Sequence, residues 1–306
     1  MSGITKRAAL YMTSWMLTKY YGLRFRKKIE PLPSEPISKD RKKVIVSLTT
    51  IPSRITSSLF VVRLIMNQTV RPNEIHLYLG KDKFQEEDLP NEMKNLAEIG
   101  LKIKFVEDIG PHTKYFYAIQ ENPEAIVITV DDDILYPLNL IGTLLDCYYR
   151  YPRAVSCIRA HEIRLDCNNE LLPYNSWVNK VSGYTVPSHK LLATGVGGVL
   201  YPAYILPEET FDVDAINRDC LKADDIWLKF MEWRKQIPVV KAQEKRGKLL
   251  IINNTQGTTL LKDNVNNNRN DAYVKGMIDQ GYVTKEELVQ LFTSIDVKGN
   301  EDMRLS

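Results

Sequence analysis

Apolar residues along this chain fall into short runs that alternate with stretches of helical period. Residues 43–48 read as a strand, 57–68 as a helix, 74–79 as a strand, 86–99 as a helix, 102–106 as a strand, 113–121 as a helix and 125–130 as a strand. This alternation predicts an α/β chain with a central, mostly parallel sheet flanked by helices, because each parallel neighbour needs a crossover. The run Ala125-Ile126-Val127-Ile128-Thr129-Val130 suits the middle of such a sheet, where both faces are covered. Its C-terminal end should open on the ligand crevice. Further on, 137–149 looks helical, 154–158 like a strand and 164–187 irregular, with helices at 223–233 and within 285–294. The Asn-, Thr- and Gly-rich stretch 253–270 reads as a loop. There is no internal repeat.

Ahead of this body, Ala9, Met12, Met16, Tyr20 and Leu23 recur at three- and four-residue intervals, with Ala8, Tyr11 and Trp15 on the adjoining stripe. That spacing predicts an amphipathic N-terminal helix. The proline-rich segment 31–38 follows as a linker, so the leader and linker occupy 1–40 and the globular domain 41–306. Charge sharpens this division. The 306 residues carry a net +3, yet residues 1–28 hold seven basic side chains and no acidic one, which leaves −4 on the body. A cationic, aromatic helix can lie in an anionic membrane interface; packing on the body or on a partner subunit is the other use of such a helix. The acidic body has no basic, aromatic-interleaved stripe, so nucleic acid is not an expected partner.

A composition of 44% hydrophobic and 26% charged residues excludes a disordered, collagen-like or disulfide-scaffold protein. The longest uncharged run in the leader, 8–18, is far short of the about 20 residues that cross a bilayer, and no small-x-small cleavage site follows it. Cys147, Cys157, Cys167 and Cys220 lack the CxxC spacing of a zinc or redox site and read as reduced thiols, which suits the cytosol.

Three constellations carry chemistry. In Val130-Asp131-Asp132-Asp133-Ile134 three carboxylates end a buried strand, where their mutual repulsion calls for a cation. Oxygen ligands of this kind suit Mg²⁺ or Mn²⁺, with substrate phosphates completing the shell. Alternation along an extended chain would point Asp131 and Asp133 one way and Asp132 the other; a solvated acidic turn is the plainer alternative. The second is Asp224-Asp225 ahead of Ile226-Trp227. These acids can cap a helix and meet its dipole, or one can act as a general base with Trp227 shielding it. The third is Gly195-Val196-Gly197-Gly198, whose glycines allow close backbone approach to a ligand or simply a tight turn.

In this order, these features resemble a GT-A-fold, family-2-like bacterial glycosyltransferase of the Asp-x-Asp type. The matching pieces are Val46-Ser47-Leu48-Thr49-Thr50-Ile51-Pro52-Ser53-Arg54, Asn67-Gln68 with Pro72, Gly110-Pro111-His112-Thr113-Lys114, the aspartate cluster and the Asp224-Asp225 pair, over roughly residues 43–235. The resemblance implies a Rossmann-like GT-A fold with a nucleotide-binding half at about 41–135 and an acceptor half at about 136–306. It places the nucleotide sugar on Thr49, Thr50, Pro52, Arg54, Lys114, Asp131 and Asp132, with Gly197, Gly198 and Trp227 framing the donor sugar and acceptor. It puts Mn²⁺ or Mg²⁺ on Asp133 and Asp131, and the base on Asp225 or Asp224. Asp stands at 224 where the family more usually has Glu, which leaves the choice between the two open.

The activity so implied is metal-dependent, inverting transfer of a hexose from a UDP-sugar to a saccharide or lipid-linked acceptor in surface-polysaccharide synthesis. A basic leader of residues 1–28 would hold such an enzyme on the inner, cytoplasmic face of the membrane. Two other readings keep the same cluster: a nucleotidyltransferase acting on sugar phosphates, and a non-catalytic sugar-nucleotide-binding partner in a membrane assembly. The first usually carries a glycine-rich basic loop after its first strand, and Thr49-Thr50-Ile51-Pro52-Ser53-Arg54 has no glycine.

Overall fold

The computed structural model describes residues 12–21, 29–182, 186–243, 249–252 and 269–294. Expectations for 1–11, 22–28 and most of the 253–270 loop lie outside the described residues.

Seven strands form the central sheet in the order β10-β6-β9-β4-β1-β2-β3. They are β1 (Val44–Thr49), β2 (Glu74–Gly80), β3 (Leu101–Val106), β4 (Ile126–Thr129), β6 (Val155–Cys157), β9 (Val199–Tyr201) and β10 (Val239–Lys241). β1 pairs in parallel with β2 and β4, β2 with β3, and β6 with β10. Only β9 runs against its neighbours, between β4 and β6. The chain is therefore a mixed α/β fold with a mostly parallel sheet flanked by helices, as its periodicity predicts.

Side chains of the buried strands alternate between two layers. Ile126, Ile128 and Val130 join the cluster that includes α2 (Ile55–Met66) and α5 (Leu140–Arg150). Val127 faces the cluster of α4 (Thr113–Glu121) and α7 (Asp224–Arg234). This two-sided coverage is why β4 has no polar face.

Several elements differ from the pattern. The expected 86–99 helix is a 3₁₀ turn at Glu86–Asp88 followed by α3 (Asn91–Ala97). Pro90 between them explains the break, since proline disfavours helical backbone in the residue before it. β5 (Ile134–Leu135), β7 (Ala160–Glu162), β8 (Leu191–Ala193), β11 (Leu250–Ile251) and α6 (Val213–Asp219) are additional. Residues 269 and 270, expected in a loop, open α8 (Arg269–Asp279), and α9 (Lys285–Ser294) follows as expected. The proline-rich linker is tied down: Asn73 Nδ2 donates to the carbonyls of Pro33 (3.1 Å) and Glu35 (2.5 Å), and Leu32 N to Ile99 O.

α1, residues 12–21, packs one side onto the body. Leu17 and Tyr21 meet the core, and Ser14 Oγ donates to Ile251 O on β11 at 2.6 Å. β11 pairs with β5, and Ile252 N donates to Asp133 O at 2.7 Å. Among the described residues no helix is long and apolar enough to cross a membrane.

Candidate active site

Register alone assembles one edge of the sheet. Ser47 pairs with Thr129, Thr129 with Val199, and Val199 with Cys157, so these four form a row across β1, β4, β9 and β6. Parallel β1, β4 and β6 run toward this edge and antiparallel β9 leaves it. Two residues beyond the row along each strand stand Thr49, Asp131, Gly197 and Arg159. The aspartate cluster and the glycine turn, far apart in sequence, thus meet at one crevice.

Lys114 is the hub. The Ser47 hydroxyl donates to Lys114 O at 2.5 Å, fixing the first turn of α4 against β1. The Lys114 ammonium, on a residue only 8% exposed, lies 2.9 Å from both Asp131 Oδ1 and Asp224 Oδ2. Burial opposes its charge, but Asp131, Asp224 and Asp225 outweigh burial and hold the ammonium well above its usual range. One cation therefore bridges the strand-end cluster and the acidic pair.

The aspartates divide their partners. Asp131 N donates to the Tyr136 hydroxyl at 2.8 Å, and that hydroxyl reaches Val196 O at 3.4 Å. Thr50 Oγ1 donates to Asp132 at 2.6 Å, and Arg54 lies 3.1 Å from Asp132 and 3.4 Å from Asp133. Asp132 and Asp133 thus share a cation while Asp131 faces Lys114, so the three side chains do not alternate as they would along an extended strand. The reason is local: β4 ends at Thr129, and residues 132 and 133 form a turn in which strand alternation no longer holds. Burial, then repulsion from Asp131 and Asp132, pushes the Asp133 carboxyl up to about 6 against the pull of Arg54 and Lys114. Burial also raises Asp132, with Thr50 and Arg54 opposing.

Asp224 and Asp225 open α7, where Ala223 occupies the N-cap position and supplies no side-chain cap. Buried His112 positions this helix start: Nδ1 is 2.9 Å from the Tyr115 hydroxyl, and Nε2 is 2.9 Å from Cys220 O. Asp224 turns to Lys114. The half-buried Asp225 accepts from Gly195 N at 3.0 Å. Burial and the neighbouring Asp224 charge push the Asp225 carboxyl well above the usual range, with Lys114 opposing. Neither acid caps its helix with its side chain; both face the crevice.

The 3₁₀ turn Gly195–Gly197 needs its glycines. A Cβ on Gly195 would lie 2.6 Å from Lys114 Nζ, and one on Gly197 would lie 2.8 Å from Arg159 N. Gly198 has φ +86, in the region glycine favours.

Two expected site residues are occupied differently. Thr49 Oγ1 donates to Tyr78 O at 2.9 Å. Trp227 is fully buried, its indole N–H on Thr210 O and its ring against Tyr282. Two residues along a helix turn about 200°, which directs Trp227 away from the Asp225 side. Pro52 begins the 3₁₀ turn Pro52–Arg54 that delivers Arg54.

Tyr136, Arg159 and Tyr174 belong to this edge although the sequence patterns do not single them out, and His112, part of the 110–114 segment, has no task of its own in those patterns. Arg159 shares the row with Asp131. Tyr174 opens a short 3₁₀ turn, its backbone N–H held by Asp271 at 2.5 Å and its ring 6.0 Å from that of His161.

Among the described residues, no three His, Cys, Asp or Glu side chains come together as a complete metal shell. The donor set still fits a hard divalent ion. Mg²⁺-type sites use one or two carboxylates and take remaining oxygens from substrate phosphate and water. Asp133 and Asp131 would supply such carboxylates, and the burial and repulsion that raise Asp133 are what a cation there would relieve.

No protein-family model matches the chain, and no curated protein does. Solved structures with a similar fold include a mannosyltransferase from Pyrobaculum calidifontis in complex with GDP-Man and Mn²⁺, at 15% identity and TM-score 0.40, covering 80% of this chain and 68% of that one. GalNAc-T7 with UDP, GalNAc and Mn²⁺ matches at 10% identity and TM-score 0.47, over 83% of this chain and 55% of that one. A CMP:2-keto-3-deoxy-manno-octonic acid synthetase complexed with CTP matches at 10% identity and TM-score 0.38, over 65% and 89%.

Proposed function

We propose that this protein is a divalent-metal-dependent glycosyltransferase that moves a hexose from a nucleoside-diphosphate sugar to a saccharide or lipid-linked acceptor, with inversion. The observation that carries this reading is the joining of two acidic sites by Lys114, which lies 2.9 Å from Asp131 and 2.9 Å from Asp224. A phosphate-binding edge and a candidate base thereby face one crevice.

Each residue then has a defined task. Thr50 and Arg54 hold Asp132 and Asp133 in place, and Arg54 and Lys114 bring positive charge to the diphosphate. Asp133 and Asp131 would hold Mn²⁺ or Mg²⁺, which supplies Lewis-acid stabilisation of the leaving diphosphate when bound. Asp225 accepts the proton of the attacking acceptor hydroxyl, and its raised proton affinity matches that task near neutral pH. Attack from the face opposite the leaving group inverts the anomeric centre in one displacement. Gly195 keeps a side chain out of the gap between Lys114 and Asp225.

The exposed side of α1 supports a membrane-surface location. Met12, Trp15, Met16 and Tyr20 are each more than half exposed along one helical stripe, with Lys19 beside Trp15. Anionic lipid at the inner membrane face would cover that stripe and meet the basic residues of 1–28. A UDP-sugar is the donor the family resemblance favours.

Product analysis tests the reaction class. With Mn²⁺, a transferase releases nucleoside diphosphate from a nucleotide sugar. A nucleotidyltransferase instead forms nucleotide sugar and pyrophosphate from nucleoside triphosphate and sugar phosphate, and that result would replace the proposal.

A further inference from the structure

Arg159 has no task in the chemistry above, yet the fold invests in placing it. β6 carries it to the same sheet edge as Asp131, with Gly197, in the turn that leads into the intervening β9, between them. Its carbonyl accepts from Thr194 N at 3.0 Å and Thr194 Oγ1 at 3.3 Å, which locks it to the glycine turn. Gly197 leaves room for it, since an added Cβ there would also lie 2.9 Å from Arg159 Cβ.

Among the described residues the side chain has no hydrogen-bond or ion-pair partner. Nε is buried and makes no hydrogen bond. Among the described residues the guanidinium forms no ion pair. Asp131 and Asp225 lie within electrostatic reach, but Asp131 is engaged by Lys114 and Asp225 by Gly195 N. Burial pulls the guanidinium down, and only Tyr174, Asp225 and Asp131 counter it. A buried donor without an acceptor costs about 1–3 kcal/mol, so one held open among the described residues points to an acceptor that a ligand brings.

Tyr174 shares this corner. Arg159 directly precedes β7, whose His161 ring lies 6.0 Å from the Tyr174 ring, and Arg159 lies within electrostatic reach of both His161 and Tyr174. The Tyr174 hydroxyl likewise makes no hydrogen bond among the described residues, and Arg159 and Asp225 are the charges that act on it. A guanidinium fork beside a phenol recognises a planar carboxylate or a phosphate. Position decides which substrate carries it. The donor's diphosphate belongs with Arg54, Asp132 and Asp133 beyond β1, whereas Arg159 flanks the Asp225 side, where the acceptor hydroxyl is deprotonated.

We infer that Arg159 and Tyr174 form an anion subsite on the acceptor side of the cleft, so that the acceptor is an acidic glycan bearing a carboxylate or phosphate near its reacting hydroxyl. The inference rests on the transferase reading for the identity of the acceptor, but the subsite can be tested without turnover.

The test titrates the full chain, with UDP and Mn²⁺ present, against glucuronate, glucose 6-phosphate and glucose. Wild-type protein should bind at least one anionic probe about ten-fold or more tighter than glucose, as a charged hydrogen-bonded pair would give. Arg159→Gln should remove that preference and leave UDP binding within about two-fold, Arg159→Lys should retain part of it, and Tyr174→Phe should weaken it with the melting temperature preserved. Equal binding of the anionic probes and glucose by the wild type, or binding of none of them, overturns the subsite. So does a large loss of UDP affinity in Arg159→Gln with the anion preference intact, which would assign the guanidinium to the donor. If neither UDP nor GDP binds the wild type but the anion preference is present and lost in Arg159→Gln, the transferase reading fails and the subsite stands.

Discussion

Asp225 sits half-exposed at the first turn of α7, with one carboxylate oxygen accepting from Gly195 N. Asp225→Asn keeps shape and removes basicity, so transfer should fall about a hundred- to ten-thousand-fold while UDP binding and folding persist. Near-normal transfer by a folded Asp225→Asn protein would move the base to Asp224. Because the Asp225 carboxyl is raised, kcat should climb with pH toward neutrality rather than level off in the ordinary carboxylate range. Asp133 gives a second pH test. Burial and the neighbouring Asp131 and Asp132 push its carboxyl up to about 6 in the folded chain, above the ordinary carboxylate range of the unfolded chain, so the folded state keeps a proton that the unfolded chain has lost. That contribution to the metal-free protein is full below about pH 4 and is lost as pH rises through 6. Mn²⁺ competes for the same carboxylate and should raise the melting temperature more at about pH 7.5 than at about pH 5. An equal shift at both pH values would detach Asp133 from the metal. The aspartates were legible in sequence because three in a row after an apolar run are conspicuous. Arg159 was not, since one arginine after a three-residue strand looks like any surface charge until β9 places it beside Asp131.

At the scale of elements, α7 carries the chemistry at one end and a buried ion pair at the other. Lys229 and Glu232, 2.9 Å apart and each 2% exposed, sit among Trp233, Cys157 and His189. Removing one partner leaves an uncompensated charge, so Glu232→Ala should destabilise by about 3–5 kcal/mol in urea unfolding, and Lys229→Met with Glu232→Leu should recover most of that loss. If the single and double variants unfold alike, the pair is not the source of the effect. β1 to β4 were readable because they span four to seven residues of apolar or alternating pattern, with helical stretches between them. β9, β7 and β8 span three residues each, too short to show a period, and they pair with strands distant in sequence. The antiparallel direction of β9 was hidden for that reason, and it is what brings the glycine turn to the aspartates.

Over the whole molecule, the leader and the crevice are linked. α1 bonds to β11 through Ser14, β11 pairs with β5, and the following residue holds the Asp133 carbonyl. A membrane-docked α1 would therefore set the crevice close to the lipid surface. Deleting residues 1–28 should release the protein from vesicles containing anionic lipid while sparing transfer to a soluble acceptor, and undiminished vesicle binding after deletion would contradict the role given to α1. The helical period of the leader was legible in sequence, but its split into an inward side of Ser14, Leu17 and Tyr21 and an outward side of Met12, Trp15, Met16 and Tyr20 required the body against which it packs. The measurement that bears most directly on the central claim is release of nucleoside diphosphate from a panel of UDP- and GDP-sugars by the full chain, with Mn²⁺ and then with EDTA. Metal-dependent release of one diphosphate, abolished by EDTA and by Asp133→Asn, is the expected result; no release from any sugar nucleotide, or release indifferent to EDTA, would contradict the account.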